Sequence, residues 1–331
     1  MTKLFGRERL PVIMTAVVLL VLYCGAGLKF TGFFSPQVFL NLFSDNAFLG
    51  IVAIGLTFVI LSGGIDLSVG SVVGCSSILL ATLVQKSHVH PSAAIFLVLL
   101  FGTGIGASQG WLIQRFKLPP FLVTLGGLFM CRGIGLAVSR ESIQISHPTF
   151  KAWSESGAPM LGGTLSLVAF LFLAFLLLAS ILLRQTRFGR TVYAIGGNEA
   201  SASLMGLSVD KTKLGIYTIS GACSALGGVA FALYTSSGNA VSGTGLELDA
   251  IAAVVIGGTL LTGGHGSMFG TLLGVLTLGV IQTAITFDGT LSSWWTKIFI
   301  GGLLLVFVLL QRVMSIASIK RTRSMSVGKQ A

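Results

Sequence analysis

Residues 61–70 read Leu-Ser-Gly-Gly-Ile-Asp-Leu-Ser-Val-Gly, and they decide the fold because they set one carboxylate, Asp66, between two long apolar runs. An isolated charge at membrane depth costs about 2.5–3.5 kcal/mol on insertion scales, so it normally faces protein or water instead of lipid. Gly63 and Gly64, flanked by Ser62 and Ser68, allow a helix to break and leave backbone groups free to line a cavity. The stretch therefore predicts a transport path inside a membrane protein.

The composition supports the same fold class. Of 331 residues, 53% are hydrophobic and 9% are charged, which is too apolar for a soluble domain of this length. The apolar runs are long and unbroken, as in helices, and lack the alternation of a membrane β-barrel. The net charge is +11, but basic and aromatic residues do not interleave as a nucleic-acid surface requires. We therefore expect one all-α polytopic transmembrane domain over residues 1–331. We expect it to contact membrane lipid and not to bind nucleic acid.

Hydropathy predicts about ten transmembrane helices, and the shorter ones leave a count of eight or nine open. The predicted spans are 11–29, 46–62, 68–85, 93–113, 121–139, 163–183, 214–234, 248–262, 267–286 and 295–312. All seven prolines fall at or outside the ends of these spans. Because proline breaks helices, its positions support the division independently of hydropathy.

The positions of lysine and arginine predict the orientation. With the N-terminus inside, most of these residues fall in the cytoplasmic segments, beginning with Lys3, Arg7 and Arg9 before the first span. Both termini are therefore expected in the cytoplasm, and the first span is expected to remain uncleaved. Arg132 is left inside a predicted span.

An internal repeat surrounds the opening stretch. Gly63, Gly64, Gly70 and Gly74 recur 200 residues later as Gly263, Gly264, Gly270 and Gly274. Paired Gly-interrupted segments in two halves of a chain often mark the central site of a transporter. We expect two Gly-broken helix pairs, of which only the first carries a carboxylate, because position 266 is glycine.

The chain lacks the motifs of an enzyme. It has no phosphate-binding loop, no dinucleotide fingerprint, no nucleophile with a base, and no cysteine or histidine spacing that would ligate a metal. We therefore expect no catalytic residue, no metal site and no cofactor in this chain. The series Gly102, Gly106 and Gly110 predicts close helix packing instead.

The longest inner loop, residues 184–213, is the second informative segment. Asn198 can cap a short helix over residues 200–205, and Gly206 can end it. A short helix of small residues on a basic stem could dock into the groove of a partner protein. The alternative is an interfacial helix on lipid headgroups, although its polar face is not rich in Lys or Arg.

Four segments resemble a known family. Residues 53–71, which include Thr57 and Asp66, are similar to the permease subunits of ribose-type ABC sugar importers. Residues 188–206 resemble the loop by which those permeases couple to their ATPase. Residues 247–260 and 287–297 are similar to the permeases of galactofuranose importers.

The resemblance implies a permease that forms half of a translocation pore in the bacterial inner membrane. A periplasmic sugar-binding protein would deliver the sugar, a second permease would complete the pore as a heterodimer, and a cytoplasmic ABC ATPase would hold ATP and Mg. The expected path or gate residues are Thr57, Ser62, Gly63, Gly64, Asp66, Ser68, Gly263 and Gly264. The expected ATPase-coupling residues, within a cytoplasmic coupling loop 184–213, are Arg187, Gly189, Gly197, Asn198, Glu199, Ala200 and Gly206.

Several alternatives stay open from the sequence. The sugar could be another monosaccharide such as ribose. The chain could be an ion-coupled secondary transporter with Asp66 as its proton or cation site, or a passive channel or assembly subunit. The inner loop favours the importer, because a secondary carrier needs no ATPase dock. Asp66 could tie or gate a broken helix, or contact the ligand directly.

Overall fold

The computed structural model describes residues 10–292 and 294–327. Lys3, Arg7, Arg9 and Lys329, which support the predicted cytoplasmic termini, lie outside the described residues. The described helices are α1 (Leu10–Lys29), α2 (Pro36–Asp45), α3 (Ala47–Leu61), α4 (Val69–Gln85), α5 (Pro91–Phe116), α6 (Pro120–Val138), α7 (Pro148–Ser154), α8 (Leu167–Gln185), α9 (Arg187–Gly197), α10 (Glu199–Leu204), α11 (Val209–Thr235), α12 (Leu246–Ile256), α13 (Met268–Asp288) and α14 (Trp294–Val327). The described strands are β1 (Ile143–Gln144), β2 (Gly157–Met160), β3 (Gly163–Ser166) and β4 (Ser237–Gly238).

Prolines and hydroxyl caps start many of these helices. Pro36, Pro91, Pro120 and Pro148 each begin a helix, where the missing N–H would have had no partner in any case. Ser35, Ser166 and Ser267 accept a backbone N–H at the starts of α2, α8 and α13. The expectation that prolines stay out of helix interiors is confirmed.

The chain is an all-helical polytopic membrane protein, but the count of about ten crossings is not confirmed. Seven described helices are long and apolar enough to cross a membrane, namely α1, α5, α6, α8, α11, α13 and α14 through Gln311. The pair α2 and α3, bent by 50° at Asn46, could be an eighth. This is the one bent helix pair found among the described residues, and it turns at an asparagine. The two predicted Gly-broken pairs are therefore not confirmed as broken spans.

The predicted span 248–262 shows why the count falls. α12 ends at Ile256 because Gly257 and Gly258 follow, and Gly258 adopts a φ of +91° that a right-handed helix does not allow. Eleven helical residues extend about 16 Å, which is roughly half of a bilayer core. α4, with 17 residues, also falls below the length of the seven spanning helices.

α11 is the centre of the packing. Most of its length is buried, and it contacts α3, α4 and α5. A Cβ at Gly106 of α5 would lie 3.0 Å from the Cα of Gly221 on α11, and one at Gly102 would overlap Ala225. The predicted role of the glycine series in close helix packing is therefore confirmed.

The repeat is visible in the order of the helices. α3 and α4 in the first copy correspond in position to α12 and α13 in the second. Gly74 lies against the carbonyl of Ala240, and its counterpart Gly274 lies against the carbonyl of Ala253. In both copies the second helix thus approaches a neighbouring backbone through glycine.

Contacts between the termini of the helices define two ends of the molecule. At the α9 end, the Gly264 N–H meets the Leu61 carbonyl, and Lys117 pairs with Asp210 at 3.3 Å. The opposite end of the molecule is the far end. There, Lys29 pairs with Asp288 at 2.8 Å, and β1 pairs antiparallel with β4. The hairpin β2–β3 and α7, like β1 and β4, were not predicted from the sequence.

The glycine contact between α5 and α11 generates a stability prediction. Gly106→Ala should lower the thermal stability of the detergent-solubilised protein, with a cost of about 1–3 kcal/mol for overpacking. Gly104→Ala is the matched control, because nothing lies within 4 Å of its added methyl. Equal unfolding temperatures for the two variants would contradict the packing described here.

Candidate functional site

Asp66 is buried in the loop of residues 62–68, between α3 and α4, with 1% of its surface exposed. Its Oδ1 accepts hydrogen bonds from the Ser68 backbone N–H at 2.9 Å and from the Ser68 hydroxyl at 2.6 Å. Its Oδ2 accepts from the Ser220 hydroxyl of α11 at 2.7 Å. The carboxylate therefore joins the loop to the start of α4 and to the central helix.

No lysine or arginine among the described residues forms an ion pair with Asp66. Burial of an uncompensated carboxylate costs several kcal/mol, so the neutral donors have to replace water as partners of the carboxylate. Hydrogen bonds to an ionised group are worth about 1.5–3 kcal/mol each, which makes three of them a comparable compensation. The loop conformation consequently depends on Ser68 and Ser220.

The same network extends to α5 through Gln109. The Ser68 hydroxyl lies 3.2 Å from Oε1 of Gln109, while Nε2 of this buried amide has no partner. The Ser68 proton is already directed at Asp66, so the opposite amide orientation, with Nε2 donating to Ser68, satisfies the network better. Next to it, the buried Tyr217 hydroxyl has no hydrogen-bond partner and faces Gly64.

The two glycine segments of the repeat meet each other. The Gly264 N–H donates to the Leu61 carbonyl at 2.9 Å, and a Cβ at Gly263 would lie 2.8 Å from the Gly63 nitrogen. Gly63, Gly263 and Gly264 all have positive φ, between +78° and +83°. Both the backbone conformation and the close approach exclude a side chain here.

The contact between these two segments, residues 61–64 and 263–264, is the glycine junction, and α9 packs directly on it. A Cβ at Gly196 would overlap both the Leu61 carbonyl and the Gly264 nitrogen. The Tyr193 hydroxyl donates to the Gly266 carbonyl at 2.8 Å, and Phe188 contacts Phe58 of α3. One helix of the inner segment therefore contacts both copies of the glycine repeat.

The remaining expected path residues lie around the same junction. The Thr57 hydroxyl on α3 is 2.8 Å from that of Thr271 on α13, so it connects the two copies within the core. The Ser62 hydroxyl donates to the Val59 carbonyl at 2.8 Å and ends α3. The structure brings the expected path residues together at the α9 end, while their role in transport stays a prediction.

The expected coupling residues divide into two groups. Gly189 is buried against Leu183 at the corner between α8 and α9. The exposed group comprises Arg187, Gly197, Asn198, Glu199, Ala200 and Gly206. Glu199 also pairs with Lys213 of α11 at 2.6 Å.

The short helix α10 was predicted correctly within one residue at each end. The Asn198 side chain accepts the Ser201 N–H at 2.8 Å, and Gly206 ends the turn with a φ of +75°. Immediately before this stop, Leu204 and Met205 are 89% and 68% exposed. Two large apolar side chains therefore project from the tip of the α9–α10 segment.

Sequence reasoning missed α9 and, with it, Phe188, Tyr193 and Gly196. A signal was present, because Thr186 caps the helix through the Gly189 N–H at 3.1 Å. The apolar residues Phe188, Val192 and Ile195 also follow helical spacing.

A comparison with known protein families identifies the family to which this chain belongs. Residues 38–308 match the family described as the permease component of the branched-chain amino acid transport system. The chain belongs to this permease family. The earlier resemblance to ABC importer permeases is confirmed at the level of the family, and the permease's homologues are non-catalytic translocation subunits.

The chain matches several relatives over most of their length, among them the following. The permease is 49% identical to the inner membrane ABC transporter permease protein YjfF of Escherichia coli K12, over 94% of each chain. It is 39% identical to the ribose import permease protein RbsC of Bacillus subtilis, over 85% of this chain and 86% of that one. It is 35% identical to the fructose import permease protein FruG of Bifidobacterium longum, over 95% and 94%. No solved structure matches it.

The Asp66 network predicts different effects for two serines of α11. Ser220→Ala should destabilise the permease by about 1–3 kcal/mol, because a buried carboxylate loses a donor. Ser224→Ala is the control, since its equally buried hydroxyl donates to the Ser220 carbonyl of its own helix. Thermal unfolding in detergent measures both, and a larger loss for Ser224→Ala would refute the assigned role of Ser220.

Proposed function

We propose that this permease forms half of the translocation pore of an ATP-driven sugar importer in the bacterial inner membrane. Its proposed partners are a second, different permease, a periplasmic sugar-binding protein and a cytoplasmic ABC ATPase that carries ATP and Mg. The observation that carries the proposal is the position of Gly196, where α9 contacts both glycine segments at once. A partner that moves α9 can act on both halves of the repeat together.

The charge distribution supports a cytoplasmic α9 end. The lysines and arginines of this end are Arg115, Lys117, Arg184, Arg187, Arg190, Lys211 and Lys213. The far end has fewer, namely Lys29, Lys86, Arg140, Lys151 and Lys297. An excess of positive charge marks the cytoplasmic side of a membrane protein, so the loop 184–213 would face the ATPase, with both termini inside.

In the proposed mechanism, the exposed Leu204 and Met205 insert into the ATPase, and ATP binding favours one position of α9. A conformational equilibrium shifts only through interactions that differ between its states. Since Leu61 and Gly264 contact α9 directly, displacement of α9 changes the relative position of α3 and the segment before α13. The two Gly-broken pairs of the sequence prediction would then act as the gate.

The relatives and the sequence suggest the substrate class. RbsC and FruG are named as import permeases for ribose and fructose, which supports a monosaccharide. We propose galactofuranose, on the resemblance of residues 247–260 and 287–297 to permeases of that specificity. Ribose is the alternative, favoured by the identity to RbsC.

The environment of Asp66 argues for this function over ion-coupled transport. Its carboxylate oxygens accept three hydrogen bonds, from the Ser68 N–H, the Ser68 hydroxyl and the Ser220 hydroxyl, so groups of the chain itself satisfy the carboxylate. We therefore propose that Asp66 holds the loop 62–68 in place and contacts no transported ion.

The exposed tip of the α9–α10 segment generates a prediction about ATPase binding, which a polar substitution at the tip should weaken. Leu204→Ser should reduce co-purification of the ATPase about tenfold, the effect of roughly 1.4 kcal/mol at an apolar anchor. Leu161→Ser is the matched control, because Leu161 is 69% exposed and lies at the far end. Equal ATPase recovery in both variants, or attachment of the tip to lipid vesicles without ATPase, would favour the interfacial-helix alternative.

The junction predicts a different defect. Gly196→Ala should leave ATPase binding intact but abolish sugar uptake in proteoliposomes, because the methyl group separates α9 from Leu61 and Gly264. The measurement is uptake per ATP hydrolysed, compared with Gly104→Ala, which adds a methyl in open space. Normal coupling in Gly196→Ala, or uptake without any ATPase, would overturn the proposed function.

A further inference from the structure

A cavity of about 480 Å³ opens at the far end, between the starts of α3, α12 and α14 and the end of α13. Its lining is not needed for contact with the ATPase, which is proposed at the other end. Polar side chains occur on each of its walls: Asn46, Thr244, Asp249, Gln282, Thr286, Thr296 and Lys297. The cavity is therefore polar and large enough to hold a monosaccharide.

The cavity carries no net charge. Asp249 and Lys297 are the charged residues of its described lining, and they pair at 2.5 Å across the gap between α12 and α14. An anionic or cationic ligand would lack a free counter-charge here. A neutral ligand loses nothing, and the ion pair still offers one acceptor and one donor group to hydroxyls.

Two amides in the lining have unused hydrogen-bonding capacity. Asn46 is 5% exposed, and its Nδ2 donates to the Leu42 carbonyl at 2.9 Å, while its Oδ1 accepts no hydrogen bond from the described residues. The side chain of Gln282 makes no hydrogen bond with the described residues and is exposed within the lining. Gln282 lies six residues before the end of α13, about 9 Å along the helix, where a lipid-facing amide would be unfavourable.

An aromatic surface completes the lining. Phe48 of α3 and Phe231 of α11 contact each other edge to face, with ring centroids 5.4 Å apart. An aromatic surface beside amide groups matches a ligand with apolar C–H faces and hydroxyls at its edge. This combination is the chemistry of a sugar ring.

We propose that this cavity binds a neutral, polyhydroxylated ligand of monosaccharide size, with Asn46 and Gln282 as hydrogen-bonding groups. The proposal rests on the proposed import function and assigns to this chain its own ligand site at the far end. It does not require the second permease to complete the lining.

The experiment uses cysteine protection in the assembled transporter. In a Cys24→Ser background, Thr286→Cys is labelled with a small thiol reagent in the presence of galactofuranose, ribose or the anionic galacturonate, because Thr286 is an exposed lining residue and is not one of the two proposed binding groups. We expect the neutral sugars to slow labelling about tenfold, as for a ligand that occludes its site, and galacturonate to have no effect. Labelling that is unaffected by the neutral sugars, or slowed equally by galacturonate, would overturn the proposal.

A transport assay separates this proposal from the importer function. Gln282→Leu keeps the side-chain size and should reduce sugar uptake about tenfold, with ATPase binding unchanged. Thr283→Val is the matched control, because Thr283 is adjacent on α13 and does not line the cavity. Wild-type uptake in Gln282→Leu would refute the cavity alone, whereas a wild-type complex that moves no sugar would refute the importer.

Discussion

The close backbone contact among Leu61, Gly264 and Gly196 is the constraint on which the rest of the structure depends. These residues come from the end of α3, from the segment before α13 and from α9. A Cβ at Gly196 would separate α9 from both glycine segments. Because packed interiors do not deform continuously, elements in such contact move together or come apart. This contact connects the exposed segment α9–α10 with both copies of the repeat.

Asp66 constrains the same loop from the other side. A buried carboxylate without a counter-ion contributes little net stability, but its hydrogen bonds specify one conformation. Ser220 and, through Ser68, Gln109 attach the loop to α11 and α5, which approach closely through Gly106 and Gly221. The loop 62–68 thus lies between a tightly packed core and the helix proposed to move. This position explains why polar residues and glycines are concentrated within it.

Hydropathy predicts the helical segments of this chain well, because an apolar run in a membrane has few alternatives to a helix. It does not show that α12 ends at Ile256, because apolar residues continue to Leu261 and the helix is ended by Gly257 and Gly258, the latter with a φ of +91°. α9 was missed because it is short and amphipathic, with 11 residues whose apolar side chains pack partly against the neighbouring α8 and α10 and partly against the distant α3. The cap at Asn198 was predicted because it requires only local sequence.

The candidate site also combines features that local sequence reveals with contacts that depend on distant parts of the chain. The sequence identifies Asp66 and the glycine repeat as unusual, because a charge and paired glycines stand out in apolar surroundings. It cannot identify Ser220, which is 154 residues away from Asp66 in the chain, or the Gly196 contact. Helices α12 and α13 also connect the two ends, since Gly257 and Gly270 bring their backbones into direct contact. Asp249 and Gln282 lie toward the far ends of these two helices, so the glycine contact and the cavity are built on the same pair of helices.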